Sequence, residues 1–145
     1  MKRLFVWSVL LGLMFAVPEF ALAKKGPQSF GKGKATIYIF GVSQMLTDSV
    51  VYITNINQVD SIDLERKTKF LPFRSEFSLQ LKEYMEGQLA LNHQTTCVFY
   101  ASSRKKLSKR FYKIKKRYLD DPDKKIVMVD ERYFTFKHPL DAAVN

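Results

Sequence analysis

The chain has 145 residues, with 24 Lys and Arg against 14 Asp and Glu, two His and one Cys. A single thiol excludes an intramolecular disulfide, and two His with one Cys offer no recognisable zinc-ligand set, so the fold must hold by packing. The formal charge is +10, which makes its distribution along the chain the first question.

Lys2 and Arg3 open the chain, and Leu4 to Val17 is apolar apart from Ser8 and Gly12. Pro18 and Glu19 end the run, and Ala21-Leu22-Ala23 places small residues where a signal peptidase cuts. This is the order of a secretory signal over residues 1–23, with the protein exported to the periplasm or secreted. An apolar run of about 14 residues is short of the roughly 20 that span a bilayer. No Cys near the cut suggests a lipid anchor. The 122 residues from Lys24 onward suit one domain. Residues 24–34 (KKGPQSFGKGK) read as a flexible basic arm, residues 35–138 as the domain and 139–145 as a loose tail.

Ala35 to Val42 (ATIYIFGV) and Ser49 to Thr54 (SVVYIT) are rich in β-branched and aromatic residues and predict two strands joined by a short turn. Asn55 to Lys69 carries no pattern strong enough to assign. Pro72 pre-sets a helix start, Ser75 is the expected N-cap, and Phe77, Leu81, Tyr84 and Met85 recur at helical spacing to about Leu89. Gly87 weakens the last turn. Thr95 to Ala101 (TTCVFYA) predicts a strand. Ser102 and Ser103 can cap a second helix, which Asp120-Asp121-Pro122 ends after Leu119. Ile126 to Val129 predicts a buried strand, and Tyr133 to Lys137 another.

The expected fold is α/β, with α+β as the alternative: a mixed sheet with two helices in the order β-β-α-β-α-β, with a further final strand. Thr95 to Val129 is strand, helix, strand, which implies a parallel crossover. Ile37 and Ile39 alternate with Tyr38 and Phe40, so both faces of the sheet want cover. Either the helices split across the sheet or a second copy of the chain shields part of it, as a homodimer.

Removing Lys2, Arg3 and Glu19 leaves 22 basic and 13 acidic residues, and nine of the basic ones lie between Arg104 and Arg117 with no acid among them. The rest of that mature chain is neutral, so its net charge belongs to one helix. At roughly 100° per residue, Leu107, Phe111, Ile114 and Tyr118 fall within roughly 60° of one another. Lys105, Lys106, Lys109, Arg110, Lys113, Lys116 and Arg117 fall on the far side. Arg104 and Lys115 flank the apolar stripe, where long stems can lie along the core edge.

A solvated face is one reading of this pattern, since Lys and Arg are good helix formers. Against it, like charges three and four apart repel, at a cost of a few tenths of a kcal/mol per pair. The other reading is a binding face for an anionic partner: a glycan, a lipid head group or an acidic protein. Its candidate residues are Arg104, Lys105, Lys106, Lys109, Arg110, Lys113, Lys116 and Arg117. Nucleic acid is the less expected anion, because only Tyr112 is placed to stack on a base.

Catalytic chemistry has weaker support, and no cofactor or metal is expected. Cys97 lies mid-strand and reads as a buried, inert thiol. His93 is four residues before it, but closeness in sequence is not a catalytic pair. His138 sits near the tail and reads as solvated. Asp60 with Asp63, and Asp120 with Asp121, read as loop solubilisers. Asp130-Glu131 follows a strand where α/β sites tend to form. The GKGK of residues 31–34 precedes a strand and so is not a phosphate loop. An enzyme would need a site assembled from distant residues, with Asp130 or His93 as candidates. A purely structural subunit of an oligomer is the third reading.

Lys32 to Thr54, KTKFL at Lys67 to Leu71 and CVFYASSRKK at Cys97 to Lys106 resemble parts of small exported proteins of Bacteroidetes-type bacteria, a group with no assigned activity. The resemblance implies export from a Gram-negative cell. It implies no catalytic residue, cofactor or mechanism.

Overall fold

A computed structural model of the protein describes residues 34–65, 68 and 70–142. The expected signal peptide, nearly all of the basic arm and the last tail residues lie outside the described residues. The fold is α/β: one mixed five-stranded sheet with helices packed against it. Its elements are β1 (Lys34–Gln44), β2 (Val50–Thr54), β3 (Asn57–Asp63), α1 (Arg74–Glu83), β4 (Thr95–Ala101), α2 (Arg104–Leu119), β5 (Lys125–Val129) and a single turn, α3 (Pro139–Ala142).

β1 is the axis of the sheet. One of its edges pairs antiparallel with β4 from Tyr38↔Ala101 to Gln44↔Thr95. The other edge pairs with β2 near Val42 to Gln44 and with β3 from Lys34 to Ile39. β2 and β3 are therefore two halves of one long partner strand, with β5 parallel along the outer side of β2. The strand columns run β4, β1, β2 with β3, and β5.

Two bulges break that long partner. The three steps from Val42 to Ile39 are matched by four, from Ile53 to Asn57. Here the Gly41 N–H donates to the buried Thr54 hydroxyl (2.9 Å), which donates in turn to the Asn55 carbonyl (3.1 Å). The two steps from Ile37 to Ala35 are matched by three, from Val59 to Ile62, around Ser61 at φ 62°. An extra residue flips alternation, so Val59 and Ile62, three apart, both enter the core. That spacing breaks the period of two, so β3 carries no strand pattern in the sequence.

The helices split across the sheet. α1 brings Phe77 and Leu81 onto Ile37, Ile39, Val59, Ile62 and Val98. α2 brings Leu107, Phe111, Ile114 and Tyr118 onto Phe40, Val42, Val51 and Ile53. The crossover through α1 runs from the β2–β3 column to β4, and the one through α2 runs back from β4 to β5. Two crossovers of the same hand travelling in opposite directions must lie on opposite faces, as these do.

Several local expectations change. α1 starts at Arg74, one residue before Ser75, and its N-cap is Phe73, left-handed at φ 60° with no side-chain cap bond. Ser75 instead donates to Glu76 within the first turn (2.8 Å). The helix continues as a π-helical turn over Tyr84–Gln88. Ser103 does cap α2 in position, but without a side-chain bond.

Tyr133 to Lys137 is not a strand. Phe134 and Phe136 pack edge to face at 4.9 Å, and Phe136 reaches Phe77 at 6.0 Å. The main chain of Lys137 is held by the Gln80 carboxamide, which donates to its carbonyl and accepts from its N–H, both at 3.0 Å. Apolar alternation is present, but a glutamine stands where a neighbouring strand would. Within the expected loose tail, Pro139–Ala142 forms a helical turn instead, with the Leu140 N–H donating to His138 Nδ1 (3.2 Å) at its start.

α1 sits directly on the backbone of β1. A Cβ at Gly41 would overlap Leu81 Cδ2 and lie 3.0 Å from Phe136 Cζ. Gly41→Ala is expected to cost about 1–3 kcal/mol in urea unfolding through overpacking. In a Leu81→Ala background the same methyl should cost much less, and an unchanged cost there would refute the close-approach account.

Candidate anion-binding face

α2 leaves the end of β4 and returns across the sheet toward β5. Its apolar stripe is fixed by an aromatic cluster: Phe40 stacks on Phe99 (5.1 Å between centroids) and meets Phe111 edge-on (5.2 Å). With Leu107 buried and Phe111, Ile114 and Tyr118 partly buried on that side, the opposite side of the helix faces water. Arg104, Lys105, Lys106, Lys109, Arg110, Lys113, Lys116 and Arg117 are all exposed, and Lys115 is half-buried at the edge. The separation of faces expected from the sequence is thus present.

Among the described residues there are two ion pairs, Lys82–Glu86 and Asp130–Arg132, and neither touches α2. Within the described residues the eight cations hold no carboxylate partner within 4.0 Å.

The face has internal structure. Arg110 lies over the Phe99 ring with its guanidinium carbon 4.7 Å from the centroid, which holds it against β4. Arg110, Lys113 and Arg117 line a groove of about 330 Å³ that runs between α2 and β4, with Cys97 and Phe99 in its floor. A second groove, of about 390 Å³, borders Arg110 and is lined by the consecutive residues Val98 to Ser102. Successive residues of a strand point to opposite faces, so a groove touching all of them runs along the strand's edge. Arg74, the first residue of α1, closes its far side.

Cys97 is exposed, which corrects the expectation of a buried thiol: it lines the open groove between α2 and β4, whereas Val98, on the other face of the same strand, is buried. Partial desolvation still pushes the thiol above its ordinary range, against the opposing pull of Arg74 and Arg110. It is therefore accessible but weakly nucleophilic.

The other sequence candidates do not gather. His93 is exposed in the turn before β4, at φ 60°. His138 is half-buried, with its ring 6.3 Å from Phe73 and its Nδ1 engaged by Leu140. Asp60 accepts from the Thr36 hydroxyl (2.6 Å) and so fastens β3 to β1. Asp121 accepts from the Asp123 N–H (3.0 Å) in the turn that follows α2. Asp130 does lie at the C-terminal end of a parallel strand, beside a groove lined by Tyr52, Tyr84 and Tyr133. Its carboxylate is taken up by Arg132, through the main-chain N–H (2.9 Å), Nε (3.0 Å) and Nη2 (3.2 Å). Those bonds hold its pKa below the usual carboxylate range and leave it a poor base. Among the described residues no three His, Cys, Asp or Glu side chains gather as metal ligands, and no helix is long and apolar enough to cross a membrane.

Sequence reasoning missed Arg74 and the edge of β4. No local pattern reports which strand ends a sheet when both of its connections are crossovers.

Cys97 reads the local field directly. Its alkylation by iodoacetamide should rise at higher pH than that of free cysteine. Arg110→Gln or Arg74→Gln should move the rise higher still, because each removes a charge that favours the thiolate. A profile unmoved by both substitutions would contradict the electrostatic account.

Comparison with protein-family models, with curated proteins and with solved structures finds no significant match in any of the three.

Proposed function

We propose that this is an exported binding protein whose α2 surface engages an anionic partner outside the cytoplasm. One observation carries the reading: eight exposed cations on a single helix with no carboxylate partner among the described residues. Ordinary surface helices interleave Glu with Lys and gain from pairs at i, i+4. α2 has only repulsive pairs until its end, where Asp120 and Asp121 follow the last turn. Acids there oppose the helix dipole, so they are poor compensation. A ligand carrying several negative charges relieves this repulsion and releases bound counter-ions, which makes association favourable and steeply dependent on salt.

The apolar stripe of α2 is committed to Phe40, Val42, Val51 and Ile53, so contact with a lipid surface would be electrostatic and without insertion. The cations spread over a broad arc, which suits an extended polyanion or an acidic protein surface better than one phosphate in a pocket.

The test compares the purified protein with a variant carrying Lys105→Glu, Lys109→Glu, Lys113→Glu and Lys116→Glu. Both are titrated against heparin, anionic vesicles and single-stranded DNA across a salt series. The native protein is expected to bind at least one of these, with affinity falling steeply as salt rises. The variant, folded by circular dichroism, should lose at least about tenfold, or ~1.4 kcal/mol. Equal binding by the two proteins, or none by either to any polyanion including acidic peptides, would refute the proposal.

A further inference from the structure

The cations of α2 do not form one uniform field. At roughly 100° per residue, Lys105, Lys109 and Lys116 fall within about 40° of one another, opposite the apolar stripe. Arg110, Lys113 and Arg117 fall within about 60° of one another on the flank beside β4, where all three line the groove between helix and strand. At about 1.5 Å per residue, Arg110 and Arg117 stand about 10.5 Å apart along the axis, with Lys113 between them.

The floor beneath this row has a different chemistry. Val42, Cys97, Phe99, Ile114 and Tyr118 supply apolar surface, a thiol and rings, and among the described residues no carboxylate lines the groove. Phe99 is stacked on Phe40 (5.1 Å) and covered by the Arg110 guanidinium (4.7 Å). Two groups cannot share one face of a ring, so neither face of Phe99 is left for a base or a sugar to stack on. A bilayer surface is flat on this scale and meets the outward Lys row, not a recess beside the helix. A second copy of this chain brings another net charge of +10.

A row of cations over an apolar recess is complementary to an apolar side chain with a carboxylate on either side. In an extended chain alternate side chains share a face, so Glu-x-Leu-x-Glu sets two carboxylates about 13 Å apart with Leu midway. The flexible stems of Arg and Glu cover the difference from the spacing of Arg110 and Arg117. Arg110 is already held by Phe99, so it has less rotamer freedom to lose on pairing.

We propose that the groove between α2 and β4 anchors an acidic protein partner by taking an apolar side chain whose flanking carboxylates pair with Arg110 and Arg117. The inference rests on the anionic-partner reading above and names the partner class and the contact that selects it.

The probe is a fluorescent peptide with Glu-Ser-Leu-Ser-Glu at its centre and Gly-Ser flanks, beside a twin of equal charge in which Ser replaces Leu. The Leu peptide should bind at least about fivefold more tightly, because only it buries an apolar side chain. Arg110→Gln with Arg117→Gln should weaken the Leu peptide at least about fivefold more than Lys105→Gln with Lys109→Gln, although each pair removes two charges. Cys97 lies in the floor, and alkylating it with iodoacetamide adds a neutral group there without removing a cation. The alkylated protein should lose its preference for the Leu peptide and keep its affinity for heparin. In the unmodified protein, saturating Leu peptide should slow that alkylation severalfold, and the Ser twin should protect less. This last measurement decides the matter even where alkylation disturbs the fold.

Equal binding of the two peptides, or equal loss from the two double variants, would overturn the anchor and leave the α2 reading standing. Heparin, vesicle or DNA binding without peptide binding would do the same. Failure of every ligand would overturn both. Concentration-dependent self-association that shields Cys97 without peptide would assign the groove to a second copy and overturn this proposal.

Discussion

The alternation of side chains along β1 divides the molecule into two cores that do not mix. Ile37, Ile39 and the bare backbone of Gly41 serve the α1 side, while Phe40 and Val42 serve the α2 side. Because β1 pairs on both edges, neither core can shift without disturbing the ladder that holds the other. This fixes the position of α2. Its apolar stripe has one available floor, Phe40 with its neighbours, and everything else on the helix is pushed into solvent. The charged face is thus a consequence of where phenylalanine sits in a strand that α2 never joins by a hydrogen bond.

The same geometry explains why Arg110 differs from the other cations. On the helix it is simply the residue before Phe111. In the fold it rests on Phe99, which stacks on Phe40, so its guanidinium is held at the boundary between helix and strand. Ring contacts of this kind order a side chain that would otherwise lose considerable rotamer freedom on binding. The remaining Lys side chains keep that freedom and suit diffuse attraction. Attraction over a distance and an ordered contact at close range come from different parts of one helix.

Much of this was legible in the sequence. The limits of β4 and α2, the stop at Asp120-Asp121-Pro122 and the cover required on both faces follow from periodicity and turn chemistry. What was not legible shares one physical cause: the deciding contact comes from a distant part of the chain. β3 was hidden because a bulge at Ser61 brings Val59 and Ile62 to the same face. Phe134 and Phe136 alternate like a strand, yet their neighbour is Gln80. Ser75 has the chemistry of a cap but falls inside a helix that a left-handed Phe73 has already begun. Cys97 is exposed because α2 leaves a groove over that face of β4, and the seat of α2 depends on contacts that no local window contains.

The parallel pairing of β2 with β5 carries a kinetic consequence. The hairpin of β1 and β2 closes over a few residues, whereas Val50 meets Lys125 seventy-five residues later in the chain. Loop-closure entropy therefore orders the assembly, with the hairpin early and β5 last, and it makes the route slow for a chain of this length. Until β5 docks, the outer side of β2 has no strand to pair with. The nascent sheet then has an open margin along β2. The interval before β5 arrives is when this chain is most exposed to aggregation, which makes the tract around Ile126 to Val129 a safeguard during maturation as well as a strand in the finished fold.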